Sequence, residues 1–160
     1  MMRKFGALFG AFVVGSMAWM GAGSAAAEPQ LPRVMLYSEN LGSFGDHAFC
    51  HGAYNIGLVA PKGKRGTVRL TLTSFGFTGS GSAWARDPHC RFKVQVSYNA
   101  SSGLGKYFYV PVSFGPRPGQ RVVRDVYTGS GPAHIGVGSV SSNNVAALQS
   151  YGTSIITVVP

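Results

Sequence analysis

The clearest fold signal in the sequence is the stretch TVRLTLT at residues 67–73. Val68, Leu70 and Leu72 alternate there with polar residues, so the apolar side chains would lie on one face of a strand and the polar ones on the other. The stretch FKVQVS at residues 92–97 repeats this pattern. Both predict half-buried strands of an antiparallel sheet.

Six more segments have strand character, and clusters of Gly, Pro, Ser and Asn separate them. Short strands at such spacing predict an all-β fold, an antiparallel β-sandwich of immunoglobulin-like architecture with about seven to eight strands. Pro111 indicates an edge strand or a bulge, and residues 143–151 could hold a single helical turn. The six segments are 33–38, 54–59, 107–114, 121–127, 133–140 and 154–159.

The composition agrees with one β-rich domain. The chain has 160 residues, of which 45% are apolar and 12% charged. That apolar fraction is enough for a core, and the length leaves no room for a two-domain enzyme. The 23 glycines and the scarcity of charge argue against a coiled coil or a helical bundle.

The first 27 residues have the features of a targeting segment. Two basic residues, Arg3 and Lys4, precede an uncharged apolar stretch that ends near residue 22, and Ala25 and Ala27 supply small side chains for signal peptidase. We expect a signal peptide at 1–27, cleaved after Ala27, and a β-sandwich domain at 28–160. The alternative is a retained anchor, since the stretch is near the lower limit of about 17–25 residues that span a bilayer. No second long apolar run follows, so we expect no transmembrane segment in the mature chain.

Two cysteines, Cys50 and Cys90, fall in the mature chain. In an exported protein an even number of thiols predicts a disulfide, and two allow one pairing. The closed loop of about 41 residues would stabilise the fold by at most about 4 kcal/mol in the chain-entropy model. Each cysteine lies just before a predicted strand, so we expect the bridge to hold strand starts or a loop.

Histidines and acidic residues surround both cysteines. A disulfide would gather them, and imidazole nitrogens with carboxylates are ligands for zinc or copper; with reduced thiols, a Cys2His2 zinc site is conceivable. The alternative is a set of loop caps and exposed histidines around an ordinary disulfide. Because the spacing matches no metal motif, we assign no metal and no cofactor. The candidate ligands are Asp46, His47, His51, Asp87 and His89.

The sequence predicts no catalytic centre. The chain has five carboxylates in total and no G-x-S-x-G motif, although His134 and many serines are present. We therefore expect a non-enzyme. Three alternatives stay open: an exported protein that binds zinc or copper through the cluster around Cys50 and Cys90, a small secreted hydrolase, and a cationic antimicrobial or toxin.

The charge is strongly basic, with 14 Lys and Arg against five Asp and Glu. Loss of Arg3 and Lys4 would leave 12 against five, a net charge of +7. Outside the cytosol such a protein would meet an anionic envelope polymer, lipid head groups or another protein, and nucleic acid is not expected. The alternative is charge that serves solubility alone. The basic candidates are Lys62, Lys64, Arg65, Arg86, Arg91, Arg117, Arg121 and Arg124.

Exposed aromatic side chains would add a platform for a sugar or a protein partner. The pattern does not decide which of them are exposed. The candidates are Trp84, Tyr98, Tyr107 and Tyr109. Together these features predict a small exported, non-catalytic binding or structural module, secreted or at the cell envelope.

Overall fold

The computed structural model describes residues 28–99, 103–140 and 152–160. They form nine strands and one short helix. The segment predicted as a signal peptide and the helical turn predicted at 143–151 lie outside the described residues. The elements are β1 (Arg33–Met35), β2 (Asn40–Phe44), β3 (His51–Val59), β4 (Thr67–Thr78), α1 (Gly81–Arg86), β5 (Cys90–Asn99), β6 (Gly105–Phe114), β7 (Arg121–Tyr127), β8 (Gly131–Val140) and β9 (Thr153–Val159).

The strands form two antiparallel sheets, which confirms the predicted all-β class. One sheet has five strands in the order β1-β9-β8-β5-β6, and the other has four in the order β2-β3-β4-β7. Each segment predicted as a strand overlaps an observed strand. Strands β4 and β5, each paired on both sides, contain the two alternating stretches. Their apolar residues share one face because that face packs in the hydrophobic core.

Two elements differ from the prediction. Strand β2 was not predicted, because its sequence NLGSF lacks clear alternation; pairing with β3 holds it in the sheet. Helix α1 occupies a segment of which part was predicted as a turn. It has only six residues, too few to show a helical period, and the Asp87 amide caps it by donating to the Ala83 carbonyl at 3.2 Å.

The inward side chains of both sheets form a single hydrophobic core. An aromatic cluster lies within it, and each sheet supplies two of the four rings. Tyr54 and Phe77 come from the four-stranded sheet, and Phe92 and Phe114 from the five-stranded one. Neighbouring ring centroids are 5.4–6.1 Å apart, the range in which aromatic pairs attract.

A buried hydrogen-bond chain also joins the sheets. The Ser139 hydroxyl on β8 donates to the Gly42 carbonyl on β2 at 3.3 Å. It therefore accepts from the Tyr54 hydroxyl, whose oxygen is 2.8 Å away. Burial raises the pKa of Tyr54 to about 12, so this hydroxyl keeps its proton and the bond persists at any physiological pH.

The sheet edges carry features that discourage further strand pairing. Strands β1 and β2 are only three and five residues long. Pro111 lies in β6, which is an edge strand, as the sequence predicted. On edge strand β7, Arg124 occupies an inward-alternating position opposite Leu70 yet stays exposed.

Candidate functional site

The predicted disulfide is present, and it links the two sheets. Cys50 directly precedes β3, Cys90 opens β5, and their Cα atoms are 5.6 Å apart. Both cysteines are fully buried. We call this region the disulfide corner: Cys50 and Cys90 with the surrounding Asp46, His47, Asp87 and Arg91.

His47 bridges the two chain segments of the disulfide corner. Its Nδ1 lies 2.7 Å from an Asp46 carboxylate oxygen, and its Nε2 lies 3.0 Å from the Asp87 backbone carbonyl. Both partners only accept hydrogen bonds when Asp46 is ionised, so both ring nitrogens donate when both bonds are made, and the ring is then an imidazolium. The hydrogen bond with Asp46 is the main cause that raises the pKa of His47.

The carboxylates of this corner are held as anions. Burial acts to raise the pKa of Asp46, but hydrogen bonds from His47 and from the Arg91 amide outweigh it, and the pKa is lowered. The Arg91 guanidinium lies 2.6 Å from Asp87 and 3.7 Å from Asp46. Its hydrogen bond is the main cause that lowers the pKa of Asp87. The corner is thus a closed network in which cations and anions satisfy one another.

The candidate metal ligands are only partly brought together. In the described part of the chain, one group of three has its ligand atoms within 4.8 Å of one another, namely Asp46, His47 and Cys50. The Cys50 sulfur is bonded to Cys90, and both His47 nitrogens are engaged. Metal binding at this corner stays the alternative hypothesis, and it would require His47 to release a hydrogen-bond partner.

The other two candidate histidines have separate roles. The His51 Nδ1 donates to the Phe49 carbonyl at 2.8 Å, and the His89 Nδ1 lies 3.2 Å from the Asp87 carboxylate. A further histidine, His134, contacts the Ser154 hydroxyl on the outer face of the five-stranded sheet. Every side-chain carboxylate of the described chain is paired elsewhere, so this Ser–His contact has no orienting acid.

The basic residues divide into paired and unpaired sets. Arg69 is the most engaged, with Glu28 at 2.5 Å and Asp125 at 2.8 Å. Its hydrogen bonds, with those of Lys64, lower the pKa of Asp125 to about 2. Arg33 and Arg91 are also paired. Lys93 and Lys106 are unpaired as well, although they were not among the basic candidates predicted from the sequence. In all, eight cations have no carboxylate partner among the described residues: Lys62, Arg65, Arg86, Lys93, Lys106, Arg117, Arg121 and Arg124.

A second surface lies on the outer face of the five-stranded sheet. The five strands of this sheet contain no Asp or Glu. On this face Gln95, Ser97, Gly136 and Gly138 line an open depression of about 300 Å³ together with Val140, Gly152 and Thr153, and a second of about 490 Å³ lies beside Asn99 and His134. We call this surface the β5 groove: Lys93, Gln95, Ser97 and Asn99 along β5, Gly136 and Gly138 on β8, and Tyr107 and Tyr109 on β6.

Two of the four candidate aromatic residues belong to the β5 groove. Tyr107 is 66% exposed and Tyr109 is 49% exposed, and their ring centroids are 5.9 Å apart. Tyr98 and Trp84 instead pack against the core. The polar members of the groove were visible in the sequence as the outward half of an alternating strand, but the cross-strand neighbours that make them a groove were not.

The comparisons with known proteins add no name to this geometry. No protein-family model, curated protein or solved structure matches the chain. No helix in residues 28–99, 103–140 and 152–160 is long and apolar enough to cross a membrane.

Proposed function

We propose that this chain is an exported, non-catalytic binding module, an immunoglobulin-like β-sandwich that holds an anionic polymer of the cell envelope. The attraction is electrostatic and acts over the whole surface. Unpaired cations raise the local concentration of a polyanion and speed its capture, and salt screens the effect.

The observation that carries this proposal is the uneven use of charge. All five side-chain carboxylates form ion pairs with cations or histidines, and eight Lys and Arg are left over in the described chain. Ion pairs at the surface contribute little to stability. An excess of cations spread over both sheets is therefore more useful for a partner than for the fold.

Two further features support export and a binding role. A buried disulfide between the sheets suits an oxidising compartment. The loop residues Ala48 and Phe49 have positive φ values of 53° and 49°, and Phe49 is 88% exposed. Non-glycine residues adopt this conformation at a cost, and the surrounding disulfide corner holds them there.

Binding to polymers of defined charge tests the proposal. The mature chain, residues 28–160, is titrated with polygalacturonate and with its methyl ester, which has the same backbone without the charge. We expect binding to the acid form at about 50 mM NaCl and release at about 1 M, where the screening length falls to about 3 Å. Equal binding to both forms, or binding that salt does not weaken, would contradict it.

Two additional measurements define the partner and the compartment. Vesicles that contain phosphatidylglycerol serve as the lipid arm, and tight binding to them with none to polygalacturonate would show that the partner is a membrane instead. Expression of the full chain followed by N-terminal sequencing of the exported form should show a start at Glu28. A protein that keeps residues 1–27 would contradict the cleaved signal peptide.

A further inference from the structure

We infer that the β5 groove is a binding site for an acidic polysaccharide strand. This inference rests on the proposed function and adds the place and the chemistry of recognition. The cations elsewhere on the surface attract the polymer, and the groove is where the chain of sugars lies.

The polar residues along β5 are arranged as a ladder. Lys93, Gln95, Ser97 and Asn99 alternate with buried or partly buried residues, so all four face outward. Residues two apart in a strand are about 6.6 Å apart, so the ladder is about 20 Å long. This length suits several linked sugars rather than a single one.

These side chains have no internal role in the described structure. None of the four donates or accepts a side-chain hydrogen bond with another described residue, although each carries a strong polar group. Gln95 and Ser97 are also partly buried. The Ser97 hydroxyl lies over Gly136 on the neighbouring strand. Amide and hydroxyl groups that line a depression without a described hydrogen-bond partner are available to the hydroxyl groups of a ligand.

Cross-strand neighbours give the ladder a wall and a floor. On one side Tyr109 lies opposite Gln95, and Tyr107 lies opposite Ser97. On the other side the same two residues face Gly138 and Gly136. The tyrosines are exposed on β6, while the two glycines have no side chain and the Ser97 hydroxyl covers Gly136. The surface is therefore high along β6 and lowest on β8 at Gly138.

This relief matches the two kinds of surface that a pyranose ring presents. Its C–H groups carry partial positive charge and pack against the electron-rich face of an aromatic ring. Its hydroxyl groups lie around the rim and need donors and acceptors. The exposed tyrosines supply the first kind of contact, and Gln95, Ser97 and Asn99 supply the second.

The charge of the groove selects an acidic sugar. Lys93 is exposed at one end, without a carboxylate partner among the described residues. None of the five strands contributes an acid that would repel a uronate, sulfate or phosphate group. Charge complementarity of this kind sets selectivity and the rate of capture.

Three groove variants, each with a matched control, test the inference. The double substitution Tyr107→Ala/Tyr109→Ala is paired with Tyr127→Ala, a tyrosine 71% exposed on the other sheet. Lys93→Gln is paired with Lys64→Gln, which removes the same charge from a lysine that already pairs with Asp125 at 2.7 Å. Gly138→Val fills the floor, and its Cβ would lie 3.6 Å from Gly152, an ordinary van der Waals contact. Its control is Gly57→Val on the four-stranded sheet, where the Cβ would lie 3.8 Å from the neighbouring Thr71.

We expect the double tyrosine variant and Gly138→Val to bind polygalacturonate about tenfold more weakly than the unmodified chain. Lys93→Gln should lose about threefold at low salt, and its deficit should shrink as salt rises. Each control should stay within about twofold. Circular dichroism and thermal unfolding of every variant show that the fold is intact.

The outcomes separate the two proposals. If the unmodified chain binds polygalacturonate and the groove variants bind equally well, the groove is not the site, while the cationic binding function stands. If the controls on the four-stranded sheet lose affinity instead, the site lies on that sheet. If the unmodified chain binds no acidic polymer, both proposals are wrong.

Discussion

The polar side chains of the disulfide corner bind one another, whereas those of the β5 groove have no hydrogen-bond partner among the described residues. At the corner, Asp46, His47, Asp87 and Arg91 bind one another around a buried disulfide. In the groove, a ladder of polar side chains finds no partner among the described residues. Polar groups that are satisfied internally stabilise the fold, whereas those left unsatisfied in a depression are available to a ligand. The difference predicts that substitutions at the corner alter stability, and that substitutions in the groove alter binding.

The largest expected effect is loss of the disulfide. Cys50→Ser/Cys90→Ser should lower the free energy of unfolding by about 2–4 kcal/mol, because the bridge closes a long loop between the sheets. Urea unfolding of the double variant and of the oxidised parent measures it. A difference below about 0.5 kcal/mol would show that the corner does not hold the sheets together.

The next effect comes from the glycine packed against the bridge. A Cβ at Gly45 would lie 2.5 Å from the Cys50 sulfur and closer still to the Cys90 sulfur. Gly45→Ala should therefore cost about 1–3 kcal/mol through overpacking. Gly42→Ala is the control, since its Cβ would meet only the Gly52 carbonyl at 3.8 Å. Equal urea midpoints for the two variants would contradict this tight packing.

A smaller, pH-dependent effect is expected at His47. The pKa of His47 is raised in the folded state. The stability that its imidazolium contributes is therefore complete below the unfolded pKa of about 6.5 and is lost as the pH rises through the folded pKa. The difference in melting temperature between the parent and His47→Gln should be larger at about pH 5.5 than at about pH 9. His51→Gln is the control, because the His51 ring donates to the Phe49 carbonyl and pairs with no described carboxylate. A difference that grows with pH would contradict the imidazolium clamp.

The smallest stability effect is expected in the groove. Gln95→Ala and Ser97→Ala should change the free energy of unfolding by less than about 0.5 kcal/mol, because neither side chain bonds to a described residue. The same variants should weaken polygalacturonate binding by severalfold. A loss of more than about 1 kcal/mol would mean that the ladder serves the fold, and the contrast with the corner would fail.

Much of the fold could be predicted from local pattern. The alternation at 67–73 and 92–97 predicted the interior strands β4 and β5, Pro111 indicated an edge, and the two cysteines predicted their bridge. These signals are local, or they depend on a single possible pairing. Strand β2 and helix α1 were missed because they are short and held by tertiary contacts.

The sites were harder to predict than the fold. The acid and histidine cluster around the cysteines was visible, but its use as a paired network depends on where each ring nitrogen points. The β5 groove depends on strand register, which places Gly136 and Gly138 beside Ser97 and Gln95 across more than thirty residues of sequence. Spacing along the chain carries no information on such neighbours.

The most direct test of the account maps the ligand on the molecule. A chain labelled with ¹⁵N is titrated with a galacturonate oligosaccharide, and the backbone amide shifts are followed by NMR. We predict that the largest changes occur at Gln95, Ser97, Gly136 and Gly138, while Asp46, His47 and Asp87 stay unchanged. Changes confined to the disulfide corner or to the four-stranded sheet would contradict the central claim.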